Sequence, residues 1–214
     1  MDTYTIVRLL RPFIDLGANP RFQAVPEQTL AYLELLLKWN AKVNLTAVRK
    51  AEEIVTRHFG ESFFAAERLV PAGWRGAVID VGSGAGFPGL PLAMLAPQAE
   101  VTLIEANNKK AAFLNEVIFA LKLPNVKVFR QRAEDYPGQG DLVTMRAVEK
   151  FGRSLGVASK LVGEGGRLAL MIGSSQVDLA KKIAPELTWQ EPVAVPGGHS
   201  RVLLVGTKAV KVGG

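Results

Sequence analysis

The sequence contains no cysteine, and that absence excludes disulfides, thiolate metal sites and any step that needs a thiol nucleophile. It fits a reducing compartment, so a cytoplasmic location is the expectation. Histidine is scarce, with two residues, and no metal is expected. No apolar run is long enough to cross a bilayer. Met1-Asp2-Thr3-Tyr4 lacks the basic-then-apolar layout of a secretion signal, so no membrane partner is expected. Charge of one sign does not dominate either. Lys and Arg number 26 against 20 Asp and Glu, a net charge of +6 that makes a polyanionic partner plausible. Basic pairs such as Arg49-Lys50, Lys109-Lys110 and Lys181-Lys182 occur without a long basic run, so a modestly basic enzyme accounts for the charge equally well.

What is present is the composition of a folded core, 48% hydrophobic and 21% charged, in a 214-residue chain sized for one catalytic domain with a short helical addition. Pro26 suits the first turn of a helix, and Leu30, Leu33 and Leu37 follow at helical spacing with Leu36 beside them. Residues 39–46 read as a loop, and Ile54 to Leu69 as a second helix that Pro71-Ala72-Gly73 ends. From there strands alternate with helices. Strands are expected at 77–81, 100–105, 126–129, 142–145 and 168–171, with helices around 90–95, 109–121, 155–161 and 177–183 between or after them. Residues 192–195 and 201–205 read as an antiparallel hairpin joined by Pro196-Gly197-Gly198, with His199 solvated in its turn. Alternation implies an α/β fold, a mainly parallel sheet covered on both faces, with ligands at the C-terminal strand ends. A helical portion, 1–75, packs on a core, 76–214, and no linker separates the two.

The most informative stretch is Val78-Ile79-Asp80-Val81-Gly82-Ser83-Gly84-Ala85-Gly86-Phe87-Pro88-Gly89. Closely spaced glycines after a buried strand let backbone pass tightly against a ligand; a plain tight turn is the alternative. A dinucleotide fingerprint fits poorly. Counted from Gly82, its third glycine falls on Phe87, and Phe87-Pro88 is bulky and one N–H short where a pyrophosphate needs bare backbone. Asp80, two places before Gly82, would repel an anion. A cofactor without phosphates is the better match. Glu105, closing the second strand, can accept from both hydroxyls of a ribose, or be a solvated strand-end carboxylate.

Asp80-Val81-Gly82-Ser83-Gly84-Ala85-Gly86 resembles the first motif of class I S-adenosylmethionine methyltransferases. Extended through Gly89 and Pro91-Leu92-Ala93, it resembles the family of the 16S rRNA guanine-N7 methyltransferase RsmG, also called glucose-inhibited division protein B. Further matches are Trp39-Asn40 with Asn44-Leu45-Thr46, Arg57-His58, Leu103-Ile104-Glu105 with Lys109-Lys110, Arg132-Ala133-Glu134 and Arg146-Ala147-Val148. The resemblance implies the Rossmann-like methyltransferase fold, S-adenosyl-L-methionine as cofactor, and 16S rRNA or the small ribosomal subunit as partner. A monomer is the expectation, with nothing in the sequence to fix it. The resemblance also implies cofactor contacts at the motif residues Asp80, Gly82, Ser83 and Gly84, and at Phe87, Ala133, Glu134 and Arg146, with Ala133-Glu134 at the adenine; Glu105 joins them on its strand-end position. Phe87 is either a wall of the methionine part or core. Arg146, past the fourth strand, is the candidate catalytic residue. There are departures: the family usually has aspartate where Glu61 stands, and Lys-Gly where this chain has Ile172-Gly173. If that lysine touches RNA or cofactor, this chain does so differently.

The acceptor narrows by chemistry. Methylation of pyrimidine carbon 5 usually needs the absent cysteine. Exocyclic amines commonly need Asn-Pro-Pro or Asp-Pro-Pro after the fourth strand, where this chain has Met145-Arg146-Ala147. For a ribose hydroxyl, Asp141, Glu149 and Lys150 make no persuasive set. Guanine N7 has a free lone pair and needs alignment rather than a base. Asn40, Asn44, Arg57 and His58 are the substrate-binding candidates, with helix capping for the asparagines and a structural role for His58 as alternatives. A splayed single-stranded base is the expected form of the acceptor. Competing expectations are a small-molecule methyltransferase, a nicotinamide dehydrogenase, and a non-catalytic RNA-binding assembly factor.

Overall fold

The computed structural model describes residues 1–17, 20–146, 150–198 and 200–210. Ala147, Val148, Glu149 and His199, named above, lie outside the described residues.

The N-terminal portion is helical. Asp2 caps α1 (Thr3–Leu10) by accepting from the Thr5 N–H at 2.8 Å. Helix α2 (Val25–Asn40) starts with Pro26 in its first turn, as expected. Its buried face runs through Thr29, Tyr32, Leu33, Leu36 and Asn40, whereas Leu37 is exposed. The leucine spacing alone placed that face about one position too far round, because the large buried side chain is Tyr32. The next helical stretch is continuous but changes pitch. It passes from α3 (Ala51–Ile54) through a π-helical segment, Val55–Gly60, into α4 (Glu61–Leu69).

Eight strands in the described residues form one sheet: β1 (Ala77–Val81), β2 (Glu100–Ile104), β3 (Val126–Phe129), β4 (Gly140–Arg146), β5 (Val162–Gly173), β6 (Leu187–Trp189), β7 (Val193–Ala194) and β8 (Arg201–Lys208). Helices α5 (Gly89–Leu95), α6 (Asn108–Ala120), α7 (Phe151–Lys160) and α8 (Val177–Ile183) connect them. The sheet order is β3-β2-β1-β4-β5-β8-β6, with β7 pairing β8. Strands β1 to β5 pair in parallel and β8 antiparallel to β5. The order reverses beside β1, so a crevice opens at the C-terminal ends of β1, β2 and β4.

The C-terminal hairpin forms, with Val193 opposite Leu203, but β7 holds only two residues. Sequence reading missed β6, three residues long. It also started β5 late. The strand begins at Val162, because Gly140 of β4 pairs with Val162 before the Gly165-Gly166 bend. A Cβ on Gly166 would sit 2.9 Å from the carbonyl oxygens of Gly140 and Gly163, so that close approach requires glycine.

Alternation along each strand divides the core. Val78, Leu142, Ala169 and Leu203 face the N-terminal helices and α5–α6. Ile79, Val143, Leu170 and Leu204 face α7 and α8, and Ile172 is buried on that side too. One cluster runs from Ile6 to Val205, so the helical portion and the sheet share a core. No helix among the described residues is long and apolar enough to cross a membrane.

Candidate active site

A cleft of about 980 Å³ lies at the C-terminal ends of β1, β2 and β4. Its floor is the bend after β1. Gly82, Gly84 and Gly86 all have positive φ, at 67°, 56° and 87°, a conformation that costs other residues energy. The bend is tied down by Ser83 N–H to the Ile104 carbonyl at 3.0 Å and by the Ser83 hydroxyl to the Asp80 carbonyl at 3.0 Å. Gly82, Ser83 and Gly84 line the cleft; Gly86 is packed under the Tyr32 hydroxyl and Leu90.

Phe87 is core, as one of its two readings has it, and also borders the cleft. Its ring stacks between Tyr32 (centroids 5.3 Å apart, 4° between planes) and His58 (5.1 Å, 28°), with Phe59 edge-on. Asp80 does not line the cleft, contrary to the expectation of a cofactor contact. On β1 it shares the face of Val78, so it points into the helical layer and is fully buried. There it accepts from the Thr144 hydroxyl at 2.7 Å. Burial raises its pKa to about 6, against the lowering effect of Thr144, Ser83 and the Gly89 N–H. Its work is to support the bend from beneath.

Glu105 lines the cleft just past β2. Its Oε2 accepts from Gly84 N–H at 2.9 Å and its Oε1 from Asn107 N–H at 2.8 Å. Each oxygen keeps a further lone pair for a ligand hydroxyl. Ala133 and Glu134 lie on a 3₁₀ turn after β3 and also line the cleft. Glu134 pairs with Arg153 at 2.9 Å; its own backbone N–H first, and that arginine next, hold its pKa below the usual carboxylate value.

Arg146 ends β4 and lines the opposite wall, its side chain 11% exposed. It donates to the Arg57 carbonyl at 2.6 Å, to the His58 carbonyl at 3.4 Å, and to Glu61 Oε2 at 3.1 Å. Both carbonyls belong to the π-helical segment, so the guanidinium ties the end of β4 to it. His58 lines the same wall, its Nε2 2.7 Å from the Thr46 hydroxyl. Burial above all, and then Arg146, Arg57 and Arg201, push its pKa down to about 3, so the ring is neutral.

The other substrate-binding candidates are not in the cleft lining. Asn40 is buried, and its amide accepts from Leu45 and Thr46 N–H groups and donates to the Thr46 carbonyl. It pins the loop after α2 and does not cap a helix. Asn44 is exposed and accepts from Arg49. Arg57 is exposed and paired with Glu53 at 2.7 Å.

The sequence matches the family described as GidB, rRNA small subunit methyltransferase G, over residues 26–201. A curated protein named ribosomal RNA small subunit methyltransferase G from Xanthomonas euvesicatoria is 42% identical over 146 residues, 67% of each chain. One of the same name from Roseiflexus castenholzii is 38% identical over 195 residues, covering 85% of this chain and 82% of its own. The chain belongs to this family. The solved structure of a ribosomal protein L11 methylase from Lactobacillus delbrueckii shares the fold, with a TM-score of 0.60 at 13% identity over 73% of this chain and 80% of that one.

The family's methyl donor is S-adenosylmethionine, and the cleft suits it. The glycine bend presents backbone without bulk, and Glu105 offers paired carboxylate acceptors for a ribose diol. The cleft volume is that of a small-molecule site. Sequence reasoning missed several lining residues. Asn107 caps α6, accepting from Lys109 and Lys110 N–H groups, and an Asn before a helix was a readable signal. Thr46 and Ala47 reach the cleft only because Asn40 folds their loop back, which no local pattern announces. Lys110, at the start of α6, is also at the cleft wall.

Proposed function

We propose that this methyltransferase transfers the methyl group of S-adenosylmethionine to N7 of a guanosine in 16S rRNA, acting as a monomer in the cytoplasm. The cofactor supplies a methyl group already activated by a sulfonium. The observation that carries the N7 reading is how the acidic and histidine side chains lining the cleft are engaged. Glu105 accepts from two backbone N–H groups and gives its remaining lone pairs to the ribose in this reading, Glu134 pairs with Arg153, and His58, with a pKa of about 3, is a poor base. An amine or ribose hydroxyl must lose a proton on methylation, whereas N7 attacks with a free lone pair. Holding the base in line with the methyl group can lower the barrier by roughly 7–11 kcal/mol.

The acceptor side of the cleft is built by the N-terminal portion through Thr46 and His58, with Arg146 from the sheet. Arg146 has N–H groups beyond those bonded to Arg57, His58 and Glu61. Directed at the guanine edge, they favour the O6 acceptor over the amino donor that adenine carries there. Asp80, Gly82, Ser83, Gly84, Phe87, Glu105, Ala133 and Glu134 serve the cofactor in this reading, Asp80 from beneath the bend.

The test is to map N7-methylguanosine in 16S RNA, by borohydride and aniline scission, from cells with and without the gene. A guanosine cleaved only when the gene is present supports the proposal; identical patterns defeat it.

A further inference from the structure

Glu61, the first residue of α4, is 2% exposed and serves two arginines distant in sequence. Its Oε2 takes Arg146 Nη2 at 3.1 Å, and its Oε1 takes Arg201 Nε at 2.7 Å and Nη2 at 2.6 Å. Arg146 lies 85 residues along the chain and lines the cleft; Arg201 lies 140 residues along, opens β8 and does not.

The carboxylate is the anion in contact with both guanidiniums; Asp80 acts on Arg146 without an ion-pair contact. Arg57, which also acts on Arg146, has its own side chain committed to Glu53. All three acceptors that fix Arg146, the carbonyls of Arg57 and His58 and the carboxylate of Glu61, come from the π-helical segment and the residue after it. Neutralising Glu61 would leave two guanidiniums facing each other with no contacting anion, and a cation so placed turns towards water. On the Arg201 side, the β7–β8 hairpin is pressed on the helical layer, where Val195 packs with Phe13 and Phe64.

We propose that Glu61 is a positioning residue for methyl transfer: it aims the Arg146 guanidinium into the cleft and, through Arg201, locks the C-terminal hairpin to the helical layer. This rests on Arg146 acting in the cleft, as argued above. A carboxylate on this element reaches both strand ends at once, which explains why an acidic residue occupies a position otherwise walled off from solvent.

The experiment compares full-length wild type, Glu61→Gln and Glu61→Asp. It reads the single-turnover rate of methyl transfer to small ribosomal subunits and the Kd for S-adenosylmethionine by calorimetry. Glu61→Gln is expected to lose about 30-fold or more in rate, and Glu61→Asp about three- to tenfold, with Kd within about threefold of wild type in both. A wild-type rate in Glu61→Gln overturns the inference. So does a loss of rate matched by an equal loss of cofactor affinity, the mark of a merely structural role. If Glu61→Gln does not fold, Glu61→Asp decides: a several-fold lower rate at unchanged Kd supports the inference, and an unchanged rate or a parallel loss of affinity overturns it. Absence of transfer by the wild type would defeat the functional reading itself, and this inference with it.

Discussion

Glu105 and His58 show how the two walls of the cleft are tuned residue by residue. Replacing Glu105 with Ala removes the acceptors of the Gly84 and Asn107 N–H groups as well as those offered to the ribose. Hydrogen bonds to a charged group are worth roughly 1.5–3 kcal/mol each, so the Kd for S-adenosylmethionine should rise about 10- to 100-fold by calorimetry. Arg146→Ala should lower the transfer rate roughly 10²- to 10³-fold, as loss of a preorganised donor does, while circular dichroism stays native. His58 gives a pH signature. Its folded pKa of about 3 lies below its ordinary 6.5, so the unfolded chain binds the extra proton between those values, and stability falls as pH falls through that window. Asp80 has the opposite sign: its folded pKa of about 6 lies above the ordinary 3.8, so its contribution grows as pH falls through that range and is lost as pH rises through 6. Between about pH 6 and 4 the two slopes, each up to roughly 1.4 kcal/mol per unit, oppose. Removing His58 exposes the other: His58→Asn should gain stability relative to wild type as pH falls from 6.5 to 4, in urea titrations. Parallel curves for the two proteins would contradict this. That Glu105 would sit at the cleft was legible, because it closes the strand after the one that ends in the glycine bend. The depth of Asp80 was not, because it depends on which face of β1 meets the helical layer.

At the scale of elements, the bend and α5 depend on close approach to β1 and β2. A Cβ on Gly89 would lie 2.7 Å from Asp80 Oδ2 and 2.9 Å from Asp80 Cβ, both on a fully buried strand residue. Gly89→Ala should therefore destabilise by about 1–3 kcal/mol, as overpacking does, and weaken cofactor binding through the displaced bend. Differential scanning calorimetry and cofactor titration check both. Long apolar-patterned elements were readable: β1, β2, β4 and the helices between them carry strand–helix alternation plainly. Short ones were not. β6 has three residues and exists because β8 offers it an edge, and β5 starts early because Gly140 and Gly166 allow backbones to meet. The π-helical segment has no sequence signature of its own. In the fold, Arg146 bonds the carbonyls of Arg57 and His58 within it.

For the whole molecule, the shared core joins what the sequence suggested as a helical portion and a sheet domain. Trp39 on α2 packs against Phe113 of α6 and donates to Glu116, while Trp189 on β6 donates to the Ala184 carbonyl. Single-tryptophan variants reporting from these two positions should unfold at one common midpoint; separate midpoints would divide the chain into two domains. The family assignment was legible because its motifs agree in order along most of the chain. The placement of the acceptor wall was not, since it arises where the loop after α2 folds onto the ends of β1 and β4. The central claim is that this cleft delivers a methyl group to an atom that needs no deprotonation. It is tested most directly by incubating purified protein with small ribosomal subunits and isotopically labelled S-adenosylmethionine, then resolving the RNA nucleosides by mass spectrometry. The account predicts label in N7-methylguanosine alone; label in any other nucleoside, or none, would contradict it.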